Sequence, residues 1–397
     1  MNINQFITEI KNQFSKKQPT HASLKVDINE QSLTRSRQDL SNLKNALMMA
    51  ESKYHPNRSG LIEVYENIIT DAHLSSIIQS RKHKVLSKEF KIVNTVDFKE
   101  DKTKTEIFES KWFYDFISYS LDSIFYGFSL IQLGNIIDGK FDISIVDRRH
   151  VIPDKSMVVP YPSSLEGVNF NDPKIIDWIV PVGSRLDLGV LLKVADLVLF
   201  KKMCLSAFAQ FTELFGVPIR VGKVSNTQNK SDMVNMLKNM GSASWGVFDK
   251  DDSIEVLQMT GTNGDVFEQF LNYIDKSISK AIAGQTMTSD NGSSKSQAEV
   301  HENTFDQIIE ADMKMIQFTI NDLLIPKMIK HGFKLNGYKF KFDTSEFLSL
   351  KDKFEMVDKL QKNGLEVELD FIIDEFGIPV KNKTLQPPIE EDSVNFS

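Results

Sequence analysis

Apolar side chains recur every three or four residues along most of the chain, which is the pattern of amphipathic helices that pack on a core. In the first third this spacing predicts four helices, over residues 37–50, 61–69, 74–85 and 112–125. Gly127 follows the fourth helix, and glycine is favoured just beyond a helix end. The opening third is therefore expected to be mainly helical.

Short runs of β-branched and aromatic residues interrupt this pattern up to residue 200. They predict strands at residues 90–93, 129–133, 141–146 and 178–182. Prolines punctuate the same region and favour edge strands and loops: Pro153, Pro160, Pro162, Pro173 and Pro181. The apolar run over residues 194–200 closes the segment. We expect the whole segment to form an α+β unit.

Two amphipathic helices in the middle of the chain flank a compact mixed segment. The first is predicted over residues 201–215, ended by Gly216, Val217 and Pro218. The second is predicted over residues 265–282 and ends at Gly284. The segment between them carries strand patterns at residues 218–224, 245–248 and 253–257 and a helix pattern at residues 231–240.

A polar loop follows, and it opens directly into a very long helix. The loop covers residues 285–296 and is rich in Ser, Thr, Asn and Gly. The helix is predicted from Gln297 to about His331, with a kink near Pro326, which removes a helical hydrogen-bond donor. The remaining elements are a strand at residues 338–342 and helices at residues 347–360 and 367–376.

Composition limits the class of protein. The chain has 397 residues, 41% of them hydrophobic and 25% charged, as in ordinary folded proteins. No stretch approaches the ~20 apolar residues that cross a bilayer, and the N-terminus lacks a secretory signal pattern, so no membrane contact is expected. The single cysteine, Cys204, excludes an internal disulfide, and its apolar neighbours favour core packing in an intracellular protein.

The charge argues against firm binding of duplex DNA. Net charge is −7 and the pI is about 5.6, whereas phosphate neutralisation supplies most of the affinity in such binding. The distribution is uneven. Residues 197–240 hold six basic and two acidic residues, and residues 343–376 hold ten acids and four lysines. Any DNA contact is therefore expected to be weak or confined to a local patch.

The chain offers no complete catalytic motif. Gly292 is followed by Ser293 rather than by the lysine of a phosphate-binding loop, and His301-Glu302 lacks the second histidine of a zinc site. Three acids spaced four apart on one helix face could ligate a metal, although a solvated face is commoner: Glu302, Asp306 and Glu310. A basic cluster at residues 147–150 more often makes salt bridges. The sequence predicts a protein that is not an enzyme, with no catalytic residue, metal or cofactor.

The layout itself points to an assembly, because two helices projecting from a larger body cannot bury their apolar faces alone. The order of the motifs resembles the bacteriophage portal family, in its Mu-type branch, from about residue 37 to residue 378. The matching segments are residues 61–74 together with Arg81, 112–130, 215–218, 282–294 and 297–301, of which the last two form the most specific match.

The resemblance implies the portal fold, a ring-forming α+β architecture with a wing, a helical stem, a small α/β clip and a reduced helical crown. On that basis residues 1–36 are a flexible arm, 37–200 the wing, 201–215 and 263–284 the two stem helices, 216–262 the clip, 285–296 the channel (tunnel) loop, 297–344 the long wing helix and strand, 345–380 the crown-like helices, and 381–397 a disordered tail.

The resemblance also implies function. Such proteins form cyclic rings, usually dodecamers, at a capsid vertex, where they serve head assembly, genome packaging and DNA ejection. Implied partners are the large terminase subunit, head-completion or adaptor proteins, the major capsid or scaffolding protein, and double-stranded DNA in transit. The protein would reside in the virion, after assembly in the host cytoplasm.

Candidate DNA-facing residues follow from the same assignment. The channel-loop candidates are Gln285, Thr286, Thr288, Ser289, Asn291, Ser293, Ser294 and Lys295. The basic candidates of stem and clip are Lys201, Lys202, Arg220, Lys223 and Lys230. Two alternatives stay open: another oligomeric head or neck protein of a phage, and a metal-dependent enzyme that processes nucleic acid through the acidic helix face.

Overall fold

The computed structural model describes residues 40–162, 164–215, 219–223, 231, 233–235, 253–257, 263–286, 295–343, 350–364, 367, 372 and 376. In parts of these ranges only the backbone is described: residues 213–215, 219–223, 253–257, 263–264, 295–303 and 350–353. The chain divides into two compact units, Met1–Lys341 and Phe342–Ser397. The predicted N-terminal arm and C-terminal tail lie outside the described residues.

Helices dominate the start of the first unit, as the apolar spacing predicts. They are α1 (Leu40–Ala50), α2 (Ser59–Ile68), α3 (Ala72–Leu86), α4 (Lys102–Phe108) and α5 (Lys111–Tyr126). Sequence reasoning missed α4. This helix has only seven residues, of which Thr105 and Phe108 are buried, so it shows no repeating apolar stripe.

A three-stranded antiparallel sheet packs beside α5. Its order is β3 (Lys140–Ile145), β2 (Phe128–Ile137) and β7 (Ile179–Gly183). Gly127 joins α5 to β2 with φ of 82°, and a Cβ there would lie 2.2 Å from the Asp187 carbonyl oxygen. Only glycine combines that conformation with that approach.

Smaller strands complete the first half. The strands β4 (Val151–Ile152), β5 (Met157–Val158) and β6 (Val168–Asn169) form a second antiparallel sheet. Strand β1 (Phe90–Asn94) pairs with the distant β10 (Tyr338–Phe342). Phe113 of α5 contacts the rings of Phe90 and Phe340 at centroid distances of 5.2 and 5.6 Å, which ties this sheet to the aromatic core.

The first long helix begins nine residues before its predicted start. Helix α6 spans Leu192–Phe215, so residues 194–200 are its opening turns and not part of the α+β segment. Val194, Ala195, Val198 and Leu199 are fully buried at helical spacing, which explains the continuation. Their β-branched and apolar content concealed this periodicity.

After α6 come β8 (Ile219–Lys223) and β9 (Ser253–Leu257), which pair antiparallel, and then α7 (Asn263–Ala283). These strands confirm two parts of the predicted mixed segment. The predicted strand at residues 245–248 lies outside the described residues, and the helix at 231–240 is described only at 231 and 233–235. Rings of Phe208, Phe211 and Phe267 join α6 to α7.

The long helix of the second half is interrupted once. Helix α8 (Lys295–Thr319) passes into a π-helical turn (Ile320–Leu324) and then α9 (Ile325–Lys330). The departure from α geometry comes directly before Pro326, whose ring crowds the preceding turn and which lacks an N–H. Asn321 bonds both backbone groups of Phe340 in β10, accepting from its N–H at 2.8 Å and donating to its carbonyl at 3.0 Å.

The second unit contains α10 (Leu350–Lys362), within the predicted span of residues 347–360 except for its last two residues. The predicted helix at 367–376 is described only at residues 367, 372 and 376. Of the helices described in either unit, none has the length and apolar content to span a bilayer.

Candidate functional site

The candidate site is the connection between α7 and α8, where the polar loop was predicted. Of the loop candidates, Gln285 and Thr286 are described and half-buried. Lys295 is already the first residue of α8, two residues before the predicted helix start. Outside the described residues lie Thr288, Ser289, Asn291, Ser293 and Ser294. The structure therefore defines the base of the loop from both sides.

Gly284 sets the direction in which the chain leaves α7. Its φ is 71°, and its N–H donates to the Lys280 carbonyl at 3.0 Å. A Cβ at this position would lie 2.7 Å from Ile308 Cδ1 and 3.5 Å from Thr304 Cγ2. Helix α8 therefore passes directly against the point where the loop begins.

A buried arginine connects α3 to both helices that flank the loop. Arg81 donates from Nε and Nη2 to the two carboxylate oxygens of Asp312 in α8, at 2.7 and 2.8 Å. Its Nη1 donates to the Ile282 carbonyl oxygen at 2.7 Å, in the last turn of α7. The side chains of Arg81 and Asp312 are only 10% and 7% exposed. One side chain thus joins α3 to the last turn of α7, where the loop begins, and to the middle of α8.

A weaker contact lies one turn further along α3. Lys84 pairs with Asp306 of α8 at 2.8 Å, and its ammonium lies 4.9 Å from the centre of the Phe305 ring. Both partners of the ion pair are more than a third exposed, so the pair adds little stability. It does occupy Asp306, one of the three acids of the alternative metal site. The Glu302 side chain lies outside the described residues, and the described part of the chain holds no group of three potential metal ligands.

The basic candidates on α6 contact other parts of the same chain. Lys201 pairs with Asp275 of α7 at 2.6 Å and with Asp71 at 2.9 Å. Burial by itself would lower the pKa of Lys201, but hydrogen bonds to the two carboxylates outweigh it and raise the pKa. Asp71 also caps α3 by accepting from the Leu74 N–H at 2.9 Å. These contacts give Lys201 a structural role where α6, α7 and α3 meet.

Lys202 likewise forms hydrogen bonds within this chain. Its ammonium donates to the carbonyl and side-chain oxygens of Asn67 at 2.6 and 2.8 Å, and to the Thr70 hydroxyl at 2.9 Å. Arg220 and Lys223 lie on β8, where only the backbone is described, and Lys230 lies outside the described residues. Lys201 and Lys202 thus lie side by side near the middle of α6 and contact residues of this chain, and the side chains of the other three candidates are outside the described part of the chain.

Sequence reasoning missed the Arg81 cluster although both partners carry a signal. Arg81 shares its helix face with Leu74, Ile77, Ile78 and Val85, all of which are buried. Asp312 sits among the buried apolar residues of α8 in the same way. A charged residue on an apolar face requires a buried partner. Because the two residues are 231 positions apart, local pattern could not pair them.

Helices α6 and α7 pack on each other but keep apolar side chains in solvent. Large apolar residues between 41% and 65% exposed are Phe200, Met203, Leu205, Val266, Phe270 and Tyr273. Scattered exposed apolar residues are normal, but a series along two adjoining helices is typical of a protein interface.

Known proteins share this architecture. A chain of the virion of a native gene transfer agent particle aligns with a TM-score of 0.54 and 7% identity, over 86% of this chain and 100% of that one. A chain from the neck of an empty gene transfer agent particle, computed with C6 symmetry, gives a TM-score of 0.51 and 6% identity, over 85% and 94%. The fold is thus the α+β fold of phage-type portal and neck proteins, a structural class and not an enzyme class.

Sequence comparison identifies the family within that class. Residues 62–378 match the family of the portal protein of Mu bacteriophage, and the chain belongs to this family. The portal protein of Escherichia phage Mu is 23% identical over an alignment of 342 residues, which covers 78% of this chain and 65% of the Mu protein. The chain therefore spans slightly less than two thirds of that relative. The resemblance inferred from sequence motifs is confirmed.

Proposed function

We propose that this protein is a portal subunit, identical copies of which form a closed ring at one capsid vertex. Duplex DNA passes through the centre of the ring during packaging and again during ejection. The observation that carries this proposal is the family match across residues 62–378. This range includes most of the predicted wing, helices α6 and α7, and the loop between α7 and α8.

The exposed apolar faces of α6 and α7 support ring formation. Val266 and Tyr273 are 63% and 65% exposed on α7, and Met203 is 51% exposed on α6. Burying such a side chain fully contributes about 1.5–3 kcal/mol, so neighbouring copies that cover these faces gain substantial stability. The similar neck chain comes from a particle computed with C6 symmetry, and a twelve-subunit ring is the proposed stoichiometry here.

The loop over residues 285–296 is the proposed contact with passing DNA. It contains hydroxyl and amide side chains, one acid, Asp290, and one lysine, Lys295. A channel lining must release each phosphate as the duplex slides, so few cations serve it better than many. The net charge of −7 agrees with walls that do not hold DNA. Arg220, Lys223 and Lys230 are proposed as a minor basic patch towards the clip.

The remaining partners follow from the same role. The clip, residues 216–262, is proposed to dock the large terminase subunit and later the head-completion or adaptor proteins. The wing and crown-like helices are proposed to contact the major capsid or scaffolding protein. The ring would assemble in the host cytoplasm and remain in the virion.

Negative-stain imaging of the purified protein tests the ring. We expect closed rings with a central hole and a mass many times the 45.2 kDa of one chain. Lys295→Glu should then reduce packaged or retained DNA in phage heads while rings still form, since it reverses the one loop cation. Normal packaging with every loop residue from 285 to 296 changed to alanine would contradict the DNA contact.

The two alternatives give different results in the same assays. Another head or neck protein would form oligomers, but heads lacking it would still fill with DNA. A nuclease would be a monodisperse monomer that cleaves DNA with added Mg²⁺, and Asp306→Asn would abolish the cleavage.

A further inference from the structure

Arg81 contacts the chain on both sides of the proposed channel loop. It reaches Asp312 in α8 through two hydrogen bonds and the Ile282 carbonyl in α7 through a third. Ile282 lies three residues before Gln285, the first loop residue. We propose that Arg81 is the positioning residue of the channel loop, because it holds the end of α7, where the loop begins, against α3 and the middle of α8. This inference rests on the proposed function of residues 285–296.

The bond to Ile282 makes Arg81 more than one half of an ion pair. The last carbonyls of a helix have no partner inside the helix and carry partial negative charge. Arg81 satisfies one of them at the point where α7 gives way to Gly284. A planar guanidinium that binds a carboxylate through two bonds has one orientation, so the third bond fixes the end of α7 relative to α8.

Stability alone is a poor reason for this arrangement. Removing two charges from water costs several kcal/mol per ion, and apolar residues often replace a buried ion pair without loss. What apolar residues cannot supply is three directional contacts to two different helices. Geometry at the loop base is therefore the property that Arg81 provides.

The first loop side chain, Gln285, is half-buried beside the end of α7. Gln285 Oε1 is buried, and within the described residues it accepts no hydrogen bond. Lys84 and Asp306 give a second, exposed contact between α3 and α8, six residues before Asp312 on α8. The exposed contact adds little, whereas the buried one joins α3 to both α8 and α7.

A neighbouring ion pair supplies a matched control. Lys82 follows Arg81 on α3 and pairs with Asp122 of α5 at 2.6 Å, with side chains 10% and 20% exposed. Asp122 also accepts from Arg148 at 3.0 Å, so Lys82→Met leaves it with a partner. This variant removes a largely buried ion pair from the same helix without touching α7 or α8.

Hydrogen–deuterium exchange on the assembled protein tests the inference. Arg81→Met alone would leave Asp312 charged and buried, so the main variant is Arg81→Met with Asp312→Leu. We expect exchange in peptides covering residues 280–286 and 304–312 to accelerate about tenfold, and packaged DNA to fall with rings intact. Lys82→Met should change neither.

Unchanged exchange at residues 280–286 in the double variant would overturn the inference, as would an equal acceleration in Lys82→Met. Normal DNA packaging by a double variant with accelerated exchange would overturn the link to the loop. Absence of rings in the unsubstituted protein would instead count against the proposed function, and exchange would still report on the loop base.

Discussion

Lys201 of α6 donates to Asp275 of α7 at 2.6 Å, beside a second carboxylate that caps α3. This ion pair thus joins α6 to α7 near the middle of each helix, beside the start of α3. Sequence reasoning placed Lys201 among the DNA-facing cations, whereas its side chain is 10% exposed and shared between two acids.

Replacing this lysine should destabilise the body. Lys201→Met leaves Asp71 uncompensated at 8% exposure, and losing one partner of a buried pair costs about 3 kcal/mol. Thermal denaturation of the variant should show a clearly lowered Tm. Lys111→Met is the control, because its pair with Asp115 is exposed and screened by solvent, so losing it should leave the Tm nearly unchanged. Equal Tm values for the two variants would refute the structural role.

Gly284→Ala should cost more than Gly139→Ala. Both glycines have a similar positive φ, 71° and 76°, so both substitutions add backbone strain of about 1–2 kcal/mol. Only at Gly284 does the new methyl group meet another side chain, Ile308 Cδ1 at 2.7 Å. Denaturant unfolding should therefore show an extra loss of about 1 kcal/mol for Gly284→Ala. Ile308→Val, which lacks Cδ1, should remove that extra loss, and its persistence would contradict the contact.

His331 should make stability sensitive to mild acid. Burial lowers its pKa, although hydrogen bonding at the Asp177 carbonyl opposes the shift, and its ring lies 3.9 Å from that of Trp178. The folded protein therefore binds this proton less readily than the unfolded chain. The contribution of neutral His331 to stability is fully present above the ordinary histidine pKa of about 6.5. It is lost as the pH falls through the lowered pKa of His331 in the folded protein.

His331→Gln should flatten this part of the stability–pH curve in urea titrations. An unchanged slope in this variant would show that His331 does not carry it.

Charge placed on the exposed stem face should prevent assembly without unfolding the chain. Val266 is 63% exposed within one chain, so Val266→Asp should change the free energy of unfolding of the subunit by no more than about 0.5 kcal/mol. In the ring, the carboxylate would be buried in an apolar interface and would need a partner. Size-exclusion chromatography with light scattering should show subunits. Ile137→Asp, on the β2–β3 hairpin at 61% exposure, should still form rings.

The sequence predicted the elements whose apolar stripes face one side. Helices α2, α3, α5 and α7 fall within a few residues of their expected bounds, because each buries one face in the body or against its neighbour. Helix α4 was missed because it is short, and the start of α6 was missed because its run of apolar, partly β-branched residues over 194–200 also fits a strand. Periodicity reports which face is buried, and it fails where a helix is too short or where an apolar run fits both a helix and a strand.

The loop between α7 and α8 could be located from polarity and glycine content, but its anchor could not. Arg81 and Asp312 each interrupt the apolar face of their own helix, and only the tertiary fold shows that they form an ion pair with each other. Likewise, the local sequence around Lys201 does not predict its ion pair with Asp275, which lies 74 positions away.

The π-helical turn before Pro326 corrects the register of the longest helix. Ile316, Ile320, Leu324 and Met328 are all fully buried and spaced four apart. On an ideal α-helix, three such steps would drift by about 120° and carry Met328 towards the opposite side. A π-helical turn contains more residues than an α-helical turn, so it compensates for this rotation. The chain can therefore keep one continuous buried seam from α8 into α9 while Asn321, within the widened turn, is free to hold β10.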